Sequence, residues 1–125
     1  MSGDFFISEG VSHGASTFFF MAIVEFTQNE YLDHEREIKD SLFSLTDAFK
    51  FIILEELDQR DFIRFHQATK NALKKFIKEK GINPDPNLQD YTDFFIANWK
   101  ELVQLLEKDA RYGISSLKES FSSYQ

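Results

Sequence analysis

The sequence predicts an all-α protein: a single-domain bundle of four to five helices over residues 1–125, with a loosely structured N-terminal arm over residues 1–15. Three observations predict it. Apolar residues recur at steps of three and four over most of the chain, the spacing of a helical stripe. Only two prolines and five glycines punctuate 125 residues, and both prolines fall in NPDPN, which is too few for a many-turned β-sandwich. Fifteen phenylalanines supply large buried areas with no polar atom to satisfy, which suits a core of a few long helices.

The elements follow in order. MSGDFFISEGVSHGA carries no helical pattern and reads as an extended arm, a short strand or a disordered lead. STFFFMAIVEF opens a helix over about residues 16–27. Phe18, Phe19 and Phe20 point about 100° apart on a helix, so together they wrap more than half of its circumference. A central, surrounded helix accounts for that best. A helix that turns one phenylalanine toward a partner and a β-strand are the alternatives, because an apolar run this short has no decisive period. The uncharged run Phe18 to Val24 is far below the roughly 20 residues that cross a bilayer, and no basic residue precedes Arg36 to make a secretory n-region. The expectation is a soluble, cytoplasmic protein with no membrane contact. Absence of cysteine removes disulfides and thiolate chemistry.

Between residues 29 and 57 the positions Ile38, Leu42, Leu45, Phe49 and Ile52 step by four, three, four and three, which predicts one long helix. A third helix is expected over 60–80, capped by Asp58 or Asp61. Its apolar face is Phe62, Phe65, Thr69, Leu73 and Phe76, and Gly81 is a fitting stop. Asp85 and Pro86 read as cap and first residue of a fourth helix over 86–112, though Asn83 and Pro84 offer the same chemistry one turn earlier. That helix presents Leu88, Tyr91, Phe95, Trp99, Leu102 and Leu106. The tail holds at most a short amphipathic helix at about 115–122, through Leu117 and Phe121.

Charge is the most informative feature. The first 35 residues carry six acids and no base, and the first 59 carry a net −9. Residues 60–80 reverse this to +5, within a total of −7. Arg60, Arg64, Gln67, Asn71, Lys74, Lys75 and Lys78 lie opposite the phenylalanines of the third helix, where they could track phosphates. The commoner role is a solvated face neutralised by acidic neighbours, and the acidic total argues against nucleic acid.

The acidic half, represented by Glu25, Glu30, Asp33, Glu35, Glu37 and Asp40, is the candidate partner-binding surface. A concentrated negative field speeds capture of a basic protein by ~10–10³-fold. The plain alternative is that these acids only keep the helix soluble.

Chemical motifs are lacking. Glu30, His34 and Glu37 share a helical face at metal-binding spacing, the basis for a third reading as a carboxylate-bundle metal enzyme. No second helix repeats the arrangement, so no metal is assigned. NPDPNLQD alternates oxygen donors as an EF-hand loop does, but Leu88 stands where glycine is needed and Phe94 at the twelfth position. His66 beside Phe65 reads as a packing histidine. No nucleophile elbow, phosphate loop or dinucleotide fingerprint occurs, so no catalytic residue and no cofactor are assigned. The sequence therefore suggests a non-enzymatic binding protein of the immunity or antitoxin kind, directed at a basic toxin or nuclease. The alternative is a helical assembly subunit that forms a homo-oligomer through a Phe-rich surface.

Overall fold

The segment read as a loose arm is a β-hairpin. In the computed structural model, which describes residues 2–113, β1 (Ser2–Ser8) pairs antiparallel with β2 (Val11–Ser16). The turn passes through Glu9 and Gly10, and Gly10 takes φ of 75°, where glycine alone is free of steric cost. A third strand, β3 (Phe51–Ile53), pairs parallel with β1, Phe5 opposite Ile52, giving the order β2-β1-β3. The all-α expectation is therefore wrong: the protein is a mixed α/β fold. Strand alternation is present in β1, where Gly3, Phe5 and Ile7 are buried and their neighbours are not. In sequence it rests on two large residues only, and VSHGAS opposite is nearly all small or polar. The ladder with β1 makes that segment a strand, not its composition.

The long helix expected over 29–57 is also absent. The chain breaks there into a 3₁₀ turn (Asp33–Glu35), α2 (Arg36–Leu42), α3 (Thr46–Phe49) and β3. Side chains compete with a continuous helix: the Ser44 hydroxyl donates to the Ser41 carbonyl and the Thr46 hydroxyl to that of Phe43, each at 2.9 Å. Lys50, at φ 56°, is in the left-handed region and turns the chain from α3 into β3. The supposed stripe is scattered accordingly. Ile52 is buried in the sheet, Leu45 and Phe49 are exposed, and Phe43, outside the stripe, is buried.

The other three helices match their expectation closely. α1 (Thr17–Gln28) is capped by Ser16, whose hydroxyl accepts from the Phe19 N–H. α4 (Gln59–Lys80) is capped by Asp58, and α5 (Pro86–Glu107) by Asp85 with Pro86 at its first position. Gly81 does end α4, though in a right-handed conformation. α5 stops at Glu107, short of the expected 112, and the helix expected at 115–122 lies outside the described residues.

The core lies between the inner face of the sheet and these three helices. Phe20 is fully buried against Phe5 at 5.0 Å between ring centroids, and Phe5 also meets Phe65 of α4. α1 approaches β1 so closely that a Cβ on Gly3 would collide with Phe20. A buried polar lock joins the helices: Trp99 Nε1 donates to Thr69 Oγ1 at 2.9 Å, and Thr27 Oγ1 donates to the same oxygen at 3.1 Å. Arg111, past the end of α5, donates to the carbonyls of Ile7, Leu54 and Leu57 and lies 3.9 Å from the Phe62 ring centroid. It thus ties the C-terminal ends of β1 and β3 to the helical layer. Among the described residues, no helix is long and apolar enough to cross a membrane.

Candidate functional site

The six acids proposed as a docking surface fall into two groups. Glu30 and Glu35 are turned inward onto the basic helix. Lys75 Nζ lies 2.8 Å from Glu30 Oε2, and Arg64 grips Glu35 through Nε at 2.7 Å and Nη2 at 2.9 Å. Arg64 also donates to the Glu30 carbonyl and sits over the Tyr31 ring. Glu35 in turn accepts from the Leu32 N–H at 2.9 Å and so caps the turn that begins α2. Held mainly by the hydrogen bond from Arg64, its carboxyl falls from an ordinary value near 4.5 to about 2. Burial pushes the Tyr31 phenol above its usual range. Two of the basic residues considered for phosphate contact, Arg64 and Lys75, thus neutralise neighbouring acids.

Glu25, Asp33, Glu37 and Asp40 point to solvent, with Asp40 in a loose pair with Arg36 at 3.9 Å. Glu25 sits on α1, Asp33 in the 3₁₀ turn and Glu37 and Asp40 on α2, so no single helix carries all four. The face imagined for Glu30, His34 and Glu37 does not exist, because the chain is not helical through them and Glu30 is engaged by Lys75. Among the described residues no group of three potential ligands is placed to hold a metal ion.

Glu37 belongs to a feature that the sequence did not disclose. Between α2 and β3 runs an open groove of about 490 Å³. Its apolar lining comes from Ile38, Leu42, Leu45, Phe51, Ile53 and Leu57. Its charged lining among the described residues is Glu37, Glu56 and Asp61, with no basic residue. Arg60 lies 3.5 Å from Asp61, from a side chain that is 81% exposed. The groove forms because the chain doubles back at Lys50, a turn with no glycine to announce it.

A second exposed feature lies where α1 meets the start of α5. Phe18 and Phe94 are 67% and 71% exposed, and Tyr91 touches both Phe18 and Phe19. The FFF run is thereby resolved. Phe20 is core, Phe19 is half-buried against Phe95 and Tyr91, and Phe18 faces outward. His66 is buried, as its packing role requires, with Nε2 2.9 Å from Glu107 Oε2 and its ring against Tyr112. Burial lowers its pKa, against the pull of Glu107. Burial raises the Glu107 carboxyl, but hydrogen bonds from His66 and Lys70 outweigh this and hold it below its usual range.

A β-hairpin extended by a parallel strand, with three helices on its inner face and an acidic groove beside its β3 edge, defines a small mixed α/β fold. It is similar to the CdiI immunity protein solved in complex with its cognate CdiA-CT toxin from Burkholderia pseudomallei E479. The TM-score is 0.72 at 22% identity, over 88% of this chain and 98% of that one. At that identity the likeness is one of fold. No protein-family profile matches the sequence, and no curated protein does.

Proposed function

We propose that this chain is a non-enzymatic immunity protein that acts in the cytoplasm and neutralises a toxin by direct contact. The observation that carries the reading is the shared fold, which spans nearly the whole length of a protein solved bound to its toxin. The partner is expected to be basic over its contact area, because the exposed acids Glu25, Asp33, Glu37 and Asp40 are joined by Glu55 and Glu56 in the loop after β3. Glu30 and Glu35 act differently from the other candidates: they hold the loop between α1 and α2 against α4. The test is co-expression with a toxin domain sought in the adjacent gene. Restored growth supports the reading, and persistent growth arrest with the chain soluble and abundant overturns it.

The exposed Phe18, Tyr91 and Phe94 favour a second reading, a homo-oligomer joined through that aromatic patch. Sedimentation decides it: a dimer that dissociates on Phe18→Asp supports assembly, whereas a monomer at all concentrations leaves the immunity reading.

A further inference from the structure

β3 is the edge of the sheet, and its free side opens beside the acidic groove. The Asp4 N–H donates to the Lys50 carbonyl at 3.1 Å and the Leu54 N–H to the Phe6 carbonyl at 2.8 Å, so alternate residues of this segment serve β1. By the alternation of a parallel ladder, the N–H and C=O groups of Phe51 and Ile53 point away from β1. Among the described residues no backbone hydrogen bond outside the ladder takes them up. Exposed edges are normally blunted by a lysine, a proline or a covering element. Here the residues that would do so, Phe51 and Ile53, are apolar, and Ile53 is 38% exposed.

We propose that the groove between α2 and β3 receives an extended, lysine- or arginine-bearing segment of a protein partner, which adds to β3 as a further strand. The inference rests on the immunity reading for the partner's biological identity, and on the groove alone for its chemistry. Backbone pairing with Phe51 and Ile53 supplies the register. Apolar side chains on one face of the segment meet Leu42, Leu45 and Leu57. Basic side chains reach Glu37, Glu56 and Asp61, which meet no base in the lining. An anionic occupant such as RNA is disfavoured by the same three carboxylates, and a second copy of this chain would set its own acidic edge against them.

Two arms test this. In the first, an eight-residue peptide of alternating lysine and valine is titrated into the isotopically labelled full chain, with alternating glutamate and valine as control. The amides of Phe51 and Ile53 are expected to shift with the lysine peptide only. Glu37→Lys combined with Glu56→Lys is expected to weaken binding by about tenfold or more at low salt. Ile53→Pro, which removes an outward N–H that β1 does not use, is expected to abolish the shifts while the remaining spectrum stays folded. In the second arm, the same variants are co-expressed with the toxin domain sought in the adjacent gene. Loss of protection by the charge reversal, with protection kept by Phe18→Asp, supports the groove. No shift at Phe51 and Ile53, equal response to the glutamate peptide, or full protection by the charge reversal each overturns it. If wild type itself gives no protection, the immunity reading fails, and the peptide arm alone decides the groove.

Discussion

One side of this molecule is closed and the other is open. Where α1, α4 and α5 meet, Phe20, Phe62, Phe65 and Trp99 are fully buried, the Trp99–Thr69–Thr27 lock satisfies its polar atoms, and Arg64 and Lys75 consume the nearest acids. Across the segment from α2 to β3, Leu45, Phe49 and Ile53 remain exposed, and Glu37 and Glu56 line a groove that has no basic residue among its described lining. The same residue types do opposite work on the two sides. A carboxylate gripped by Arg64 or Lys75 is a structural anchor, whereas Glu37 and Glu56 stay exposed outside those pairs. Acidity by itself therefore does not separate the two groups; pairing with α4 cations does.

The largest effect expected is on the closed side. Trp99→Ala should cost about 3–5 kcal/mol, read from denaturant unfolding, because it opens a cavity and leaves Thr69 with one partner fewer. A loss near zero would mean that the lock is not closed. Arg64→Ala should cost about 2–3 kcal/mol, since it frees Glu35, removes the bond to the Glu30 carbonyl and uncovers Tyr31. Gly3→Ala should cost about 1–3 kcal/mol through overpacking against Phe20.

The Arg64–Glu35 pair also has a pH signature. The Glu35 carboxyl is lower in the folded state, so the folded protein binds fewer protons there than the unfolded chain. Its stabilisation is complete above an unfolded value near 4.5 and is lost as pH falls toward about 2. Unfolding curves between pH 5 and 2 should show this slope in wild type and a shallower one in Glu35→Gln. Equal slopes would separate the pair from stability.

How much of this was legible in the sequence follows the same division. α4 was readable nearly to the residue and α5 at its start, since Asp58, Asp85 and Pro86 mark their starts and Phe62, Phe65, Thr69 and Leu73 keep a helical period on their own. The end of α5 was placed five residues too far, at 112 instead of Glu107. β1 and β3 were not. β3 becomes a strand through a neighbour nearly fifty residues away, β1 forms its hairpin with a β2 of small and polar residues, and the period from Ile38 to Ile52 matched a helix by spacing alone. The groove was hidden for the same reason, because it lies between elements whose junction at Lys50 carries no turn residue. Of the six acids chosen, Glu37 lies in the groove; Asp61 was read only as a possible helix cap, and Glu56 was not singled out.

On the open side, the smallest stability effect is expected from the largest change in charge. Glu37→Lys with Glu56→Lys should alter folding stability by no more than about 0.5 kcal/mol, since both carboxylates are exposed and neither makes an ion pair among the described residues. A larger loss would make the groove part of the core.

Hydrogen–deuterium exchange of the chain, alone and with the toxin that the immunity reading requires, tests the central claim most directly. The account predicts that the toxin slows exchange at the Phe51 and Ile53 amides and along α2, with the amides of α4 and α5 unchanged. Protection centred instead on Phe18, Tyr91 and Phe94, or no protection at all, would contradict it.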